Sequence, residues 1–396
     1  DLVYNSFLRK TGHCTIEDLS SAQRPYLFRA ILAKRTYDHL FEQYPPAALI
    51  TGDIYYTQLG VPTRVAIDHE AEVFVDISRG GRKLGMKRLS DHDDVFVPHL
   101  RPDEGLFDGL WRDRGSAIAE EGWELIQNRM FEDNAVERKG FQDAYDDGKR
   151  RLTEAEFYEG SGLDPEAPTV VIMAHAFNDA PTLDDQQLFG DYYDWLKQTL
   201  EFVATEPGAN WVVKEHPRTE AYECQCRVEE MIEAATAGVD SHTIYQLPND
   251  VNTATVGEIA NVLVTVRGTA GLEFACLGIP SLLAGLSRYS GFGFTTEPET
   301  RDAYFDLLST PGAIDPLTDE QRDRARAMLA FQREYMSVDA ALIPPIDQAG
   351  RGWLRLDWDA VPAEGGQIEP TADSSYRKLQ QFLEADLDHT IDYQLP

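Results

Sequence analysis

Between Thr169 and Ala284 the sequence alternates short β-branched apolar runs with amphipathic stretches of helical length, and no other feature limits the fold so strongly. Thr169–Ala174 (TVVIMA) is followed by the amphipathic stretch Tyr192–Ala204, and Trp211-Val212-Val213 by a helix from about Cys226 to Ala237 with Val228, Met231, Ile232 and Ala235 at helical spacing. Thr243–Gln246 precedes a short helix at Thr255–Ala260. Val262–Val266 precedes a helix with Leu272–Leu277 at its core, and Ser281–Ala284 is a fifth strand. Strands that alternate with helices of this length require right-handed crossovers, hence a parallel sheet covered on both faces. Ligands of such sheets sit at the carboxyl ends of the strands.

The rest of the chain is less regular. Tyr26–Tyr44 reads as a helix, Ala47–Thr51 as a strand ending at Gly52-Asp53, and Thr63–Ile67 as another strand ending at Asp68-His69. Phe107–Phe131 holds one or two helices, so this part is expected to belong to a second α/β domain. A long helix precedes its first clear strand; either the opening strands lie upstream of Asp1 or the domain is atypical. The polar stretch Asn134–Pro168 reads as a connection. After the fifth strand come the Gly/aromatic segment Tyr289–Thr295 and helices at Glu299–Leu308 and Thr318–Met336. Ile343–Ser374, rich in Pro, Gly and Asp, reads as irregular, and Ser375–Leu387 as a closing amphipathic helix. The expected division is residues 1–165, 166–340 and a tail, 341–396.

Charge narrows the setting. Of 396 residues, 68 are acidic and 36 basic, for a net charge of −32, and the acidic excess is spread along the chain. Such self-repulsion destabilises a fold in dilute buffer and is screened by salt, which points to a salt-adapted cytoplasm. No Lys/Arg-rich stripe supports nucleic-acid binding. Cys14, Cys224, Cys226 and Cys276 lack the paired spacing of a zinc site, and a disulfide framework is not expected in a chain this large; a reducing compartment follows. No run approaches about 18 apolar residues and no export signal is visible, so the chain is expected neither to span a membrane nor to leave the cytoplasm.

Three polar loops fall at the expected ligand edge. The first, Ala174–Pro181, carries His175, Asn178 and Asp179. The second, Lys214-Glu215-His216-Pro217-Arg218, places cations and an imidazole where phosphate charge could be neutralised. In the third, Arg267-Gly268-Thr269-Ala270-Gly271-Leu272-Glu273, the glycines let a ligand approach the backbone and Thr269 is a natural N-cap. Glu273 could accept hydrogen bonds from ribose hydroxyls. Each loop also fits a plainer role: an Asx turn, a charged strand end, a capped helix whose Glu complements the dipole. His175, His216 and nearby acids lack paired metal-ligand spacing, so no metal is expected. G-x-S-x-G, Walker A and G-x-G-x-x-G sequences are all missing.

Together these segments resemble the capsule polysaccharide biosynthesis family, whose members are GT-B-type glycosyltransferases. The resemblance rests on Val213-Lys214-Glu215-His216-Pro217, on Thr265–Ala275 followed by Leu277-Gly278-Ile279-Pro280, and on Tyr289-Ser290-Gly291-Phe292-Gly293-Phe294-Thr295. Gly268, Phe274 and Phe292 depart from the residues usual there. The resemblance implies an α/β protein of GT-B-like form, two Rossmann-like domains facing a cleft, the N-terminal one incomplete or atypical. It implies transfer of a sugar from a nucleotide-sugar donor to a glycan or lipid-linked glycan acceptor, with no further cofactor, and peripheral association with a membrane assembly complex. Lys214, His216, Arg218, Arg267 and the amides of Gly268, Thr269 and Ala270 would then hold the leaving phosphate. Glu273 would hold the ribose, and His175, Asn178 and Tyr289 would complete the donor site. Asp53, with His69 second, would supply the base from the first domain. A UDP-sugar 2-epimerase of the same architecture and a non-catalytic glycan- or nucleotide-sugar-binding subunit remain the alternatives.

Overall fold

The computed structural model describes residues 1–78, 83–131, 144–146, 148–182, 186–238, 244–339, 374–384 and 387–390. Thr243, part of the expected connection Asn134–Pro168 and nearly all of the stretch Ile343–Ser374 lie outside them. The chain opens with helices α1 (Leu2–Thr11) and α2 (Arg24–Gln43), then strand β1 (Ala48–Thr51), α3 (Thr57–Asp68), β2 (Glu72–Asp76), β3 (Lys83–Leu84), β4 (Met86–Leu89) and the long α4 (Glu104–Phe131). After α5 (Glu154–Ser161) the alternation begins: β5 (Thr169–Met173), α6 (Tyr192–Val203), β6 (Asn210–Lys214), α7 (Val228–Thr236), β7 (Ile244–Leu247), α8 (Val256–Ile259), β8 (Val262–Thr265), α9 (Thr269–Ala275) and β9 (Ser281–Leu283). It closes with β10 (Thr295–Thr296), α10 (Arg301–Ser309), α11 (Asp319–Ala330), β11 (Val338–Asp339) and α12 (Ser374–Glu384).

The six strands β5 to β10 form one parallel sheet in the order β10-β9-β8-β5-β6-β7. This is the doubly wound Rossmann order: the chain builds outward from β5 to β7, returns to the other side of β5 with β8, and continues to β10. The sixth strand, in the Gly/aromatic segment, was not expected. Alternation along each strand feeds two cores. Val170, Ile172, Trp211, Val213, Val262 and Val264 pack under α6, α7 and α10, while Val171, Val212 and Leu263 face the other way. The helices begin where capping chemistry permits. Asp191 accepts the Asp194 amide at 2.8 Å ahead of α6, and capping boxes open α5 (Thr153, Glu156) and α11 (Thr318, Gln321).

The smaller sheet has the order β1-β2-β4, with β1 and β2 parallel and β4 antiparallel. Thr63–Ile67, expected as a strand, lies inside α3. Val61, Val65 and Ala66 are buried at helical spacing, and at Gly60 a side chain would meet the Ile54 carbonyl at 2.3 Å, so the helix can pack closely there. The strand that follows β1 is instead β2, whose central Val73, Phe74 and Val75 are buried. Phe107–Phe131 is a single helix within α4. It crosses α11 so closely that a side chain at Gly122 would sit 1.9 Å from the Arg326 carbonyl oxygen. Val73, Val75 and Leu89 of the small sheet share one core with Val171, Val212 and Leu263 of the large one.

The cysteines correct a second expectation. Cys14, just after α1, is disulfide-bonded to Cys226, just before α7. Cys224 is a buried free thiol whose Sγ lies 3.4 Å from that of Cys14, and burial raises its pKa. Spacing in sequence could not reveal the bond, because its partners are 212 residues apart and meet only through the packing of α1 on the loop after β6.

Candidate functional site

The strand order reverses between β5 and β8, and ligands of such sheets bind outside the carboxyl ends of the strands at that point. His175 leaves β5 there. Its Nε2 lies 3.0 Å from Thr265 Oγ1 and accepts the Arg267 amide at 3.4 Å, and its ring stacks on Tyr192 with centroids 4.1 Å apart. Burial, with Arg267 and His216 beside it adding, holds its pKa well below the usual histidine range, so the ring is neutral. Gly268 keeps this contact open: a side chain there would come within 2.9 Å of Thr265 Oγ1 and 3.6 Å of the imidazole.

The loop after β6 divides into two roles. Lys214, expected at the phosphate, is buried, and its Nζ donates to the carbonyls of Pro248 at 2.8 Å and Val251 at 2.9 Å. Burial lowers its pKa to about 8, helped by Lys149 and opposed by Asp250 and Glu215. Both bonds tie β6 to the turn after β7, so Lys214 is a brace and not a ligand. His216 and Arg218 are half-buried and remain at the edge, where His216 Nδ1 accepts the Arg218 amide at 3.2 Å. Tyr222 gathers this loop: Asn178 Nδ2 donates to its carbonyl at 2.8 Å, Arg218 lies over its ring at 5.9 Å, and Arg9 of α1 at 3.7 Å. Asn178 is thereby another brace, joining the first loop to the second.

Asp53 stands at the end of β1, as the turn after that strand dictates, and its Oδ1 accepts the Tyr55 amide at 3.3 Å. The next residue, Tyr56, donates to Asp179 Oδ1 at 3.0 Å, so the segment between β1 and α3 reaches the loop after β5 directly. Arg9 Nη1 lies 3.7 Å from the same carboxylate. Burial raises the pKa of Asp53, the Tyr55 amide opposes, and the charge of Asp179 pushes up further against Arg9. His69 is not part of this group. It caps α3 at the end opposite Tyr56, roughly 18 Å along the helix axis by the rise of its twelve residues, beside Asp38 and the Phe41 ring.

The third loop also differs in detail. Gly268, not Thr269, is the N-cap of α9, with no side-chain cap, while Thr269 and Ala270 open the helix. Glu273 is turned into the core: Arg129 Nε donates to it at 2.8 Å and Tyr145 Oη at 2.6 Å, and it is 4 % exposed. Burial alone would raise its pKa; Arg129, Tyr145, Arg333 and Arg288 overcome that and hold the carboxyl below its usual range. It anchors α9 to α4 and is not placed to meet a ribose. Tyr289, fully buried, donates to the Gly268 carbonyl at 2.5 Å, and its hydroxyl fills the space where a side chain at Gly271 would be, 2.1 Å away.

Sequence reasoning missed Arg9, Tyr222 and His99. None has a local signal: Arg9 and Tyr222 come together only by tertiary packing, and Pro98-His99 has no periodic context. His99 stacks on Tyr55 with centroids 5.0 Å apart, and burial, with Lys87, His389 and Arg267 adding, lowers its pKa to about 3. A hollow of about 520 Å³ lies between the start of α1, residues 15–17 and the start of α6, and Asp1, Glu17, Asp191 and Asp194 outnumber Lys197 in its lining, so it repels phosphate. Among the described residues no group of three or more His, Cys, Asp or Glu is placed to hold a metal.

Residues 144–307 match the sequence model of the capsule polysaccharide biosynthesis protein family. The resemblance carried by the three loops is thus borne out over the stretch that contains them. No curated protein sequence matches the chain. Among solved structures, the fold is similar to that of Thermosulfurimonas dismutans KpsC, described as a beta Kdo 2,4 transferase: 15 % identity over 71 % of this chain and 79 % of that one, TM-score 0.42. The same organism's KpsC beta Kdo 2,7 transferase gives 13 % identity over 78 % and 88 %, TM-score 0.39. A UDP-GlcNAc 2-epimerase from Neisseria meningitidis gives 9 % over 80 % and 82 %, TM-score 0.32.

Proposed function

We propose that this protein is a GT-B-type glycosyltransferase that moves a sugar from a nucleotide-sugar donor to a capsular or other surface glycan, without a metal and with no cofactor beyond the donor. On this reading residues 166–340 form the donor side and 1–165 the acceptor side, and the protein works at high salt beside the membrane that carries its acceptor. One observation carries the proposal. Tyr56 hydrogen-bonds to Asp179 and brings Asp53, at the end of β1, to the same edge as the loops that hold His216, Arg218 and Arg267.

The chemistry follows from that placement. Arg267, Arg218 and His216, with the first-turn amides of Thr269 and Ala270, stabilise negative charge on the departing phosphate. Asp53 accepts the proton of the acceptor hydroxyl. The acceptor oxygen then bonds to the anomeric carbon, and the bond from that carbon to the phosphate oxygen breaks, its electron pair leaving with the phosphate. A carboxyl with a raised pKa is a stronger base once ionised, so the rate should rise with pH through a value above that of an ordinary aspartate.

The test is nucleotide release from a panel of nucleotide sugars in molar KCl, with and without a glycan acceptor. Acceptor-dependent release, lowered about 10²–10⁴-fold by Asp53→Asn, is expected. Sugar conversion without acceptor, or a rate untouched by Asp53→Asn, would overturn the assignment.

A further inference from the structure

Helix α2 turns an apolar face to solvent. Leu27 is 52 % exposed, Phe28 66 %, Ile31 47 % and Leu32 53 %, while Phe41 is the one buried residue of the helix. Leu27 and Ile31, and Phe28 and Leu32, are each four residues apart, and Phe28 and Ile31 three, which places the four in a single sector. Arg24 extends that sector one turn before Leu27 and Phe28, and Arg35 one turn after Ile31 and Leu32; both are exposed. The opposite side, with Ala30, Ala33, Tyr37 and Phe41, packs on the core. The charge of the helix is also out of character. Its Lys and Arg residues are Arg24, Arg29, Lys34 and Arg35, against only Asp38 and Glu42, in a chain with 36 basic residues to 68 acidic ones. Among the described residues Arg24, Arg29 and Arg35 have no carboxylate within ion-pairing distance, whereas Lys34 is paired with Asp38.

We propose that α2 lies on an anionic lipid bilayer, with Leu27, Phe28, Ile31 and Leu32 in the acyl boundary and Arg24, Arg29 and Arg35 on the headgroups. A helix with apolar and basic residues on one exposed side is built for the interface plane, and an anionic surface supplies the counter-charge that the rest of this acidic chain repels. A second copy fits less well. A two-fold contact through this face sets the same patch against itself, arginine against arginine. The proposal deepens the reading of an enzyme that works beside the membrane of its acceptor, yet it is read by binding and not by turnover, so either can fail alone.

The test is co-sedimentation of the full chain with phosphatidylcholine vesicles, with and without phosphatidylglycerol, in molar KCl and in the lowest KCl at which thermal unfolding shows the chain still folded. Binding is expected to require phosphatidylglycerol at low salt, where Arg24→Glu with Arg35→Glu lowers it at least about tenfold. In molar KCl the charge variant should lose its effect, since exposed charges are screened, while Phe28→Ser with Ile31→Ser should still reduce binding. All four positions are exposed, so unchanged thermal stability confirms folding and nucleotide release checks the active site separately. Absence of vesicle binding, equal binding by all variants, or a dimer that Phe28→Ser with Ile31→Ser dissociates would overturn the proposal.

Discussion

The two sheets were written in different languages. In the large one, β5, β6 and β8 are buried along nearly their whole length and are built on the apolar runs Val-Val-Ile, Trp-Val-Val and Val-Leu-Val, because helices cover both faces. In the small one, β1 lies at an edge with Ile50 64 % exposed, and β4 is Met-Lys-Arg-Leu, in which Lys87 and Arg88 are buried nonetheless. A strand that is wrapped announces itself in apolar residues; one that depends on later parts of the chain does not. Arg88 is held by Glu72 at 2.5 Å and lies over the rings of Phe74 and Phe382, and nothing near it in sequence foretells the last of these.

That contrast can be broken most strongly where a disulfide ties the start of the chain to its middle. Reduction of Cys14–Cys226 should cost up to about 5 kcal/mol for a loop of this length, read as a lowered thermal midpoint that Cys14→Ser reproduces. An unchanged midpoint would show that α1 is held by packing alone. Trp211→Ala, in the wrapped sheet, should cost about 3–5 kcal/mol in chemical denaturation, whereas Ile50→Ala on the open edge should stay within about 0.5 kcal/mol. Equal losses would erase the distinction between the sheets. Glu273→Ala leaves Arg129 buried without its partner and should cost about 3 kcal/mol or more in stability, with nucleotide affinity little changed once the protein is folded. Loss of affinity without loss of stability would restore Glu273 to the donor.

The acid limb sharpens the comparison from the small-sheet side. His99 and His389 have pKa values lowered to about 3 and about 4, mainly by burial, with Lys87 adding to both. Below about pH 6.5 the unfolded chain binds protons that these rings refuse. Stability should therefore fall as pH drops from about 6.5 through the folded values, by a few kcal/mol. His99→Gln should flatten that slope in thermal scans, and a slope unaltered by the substitution would place the acid sensitivity elsewhere.

Much of residues 166–340 was legible because topology converts sequence order into position. Once the strands are placed, His175, His216 and Arg267 fall at one edge whatever the side chains do. What each side chain then does was not legible. Lys214 and Glu273 looked like ligands because a cation at a strand end and an acid one turn into a helix are common in binding loops, yet both are braces whose partners, Pro248, Val251, Arg129 and Tyr145, come from other elements. On the other side, Asp53 could be named from its strand end, but Thr63–Ile67 misled, because a short apolar run with β-branched residues fits strand and helix alike. His69 fell with it: a histidine expected at a strand tip is instead carried to the far end of a helix.

The seating of Tyr289 against Gly271 has one more consequence. With its hydroxyl held on the Gly268 carbonyl and no room for a side chain at 271, the bend after β8 is already set before any substrate arrives. A sugar nucleotide entering there would meet a finished wall and would not have to freeze a loose loop, so little of its affinity is spent on ordering the protein.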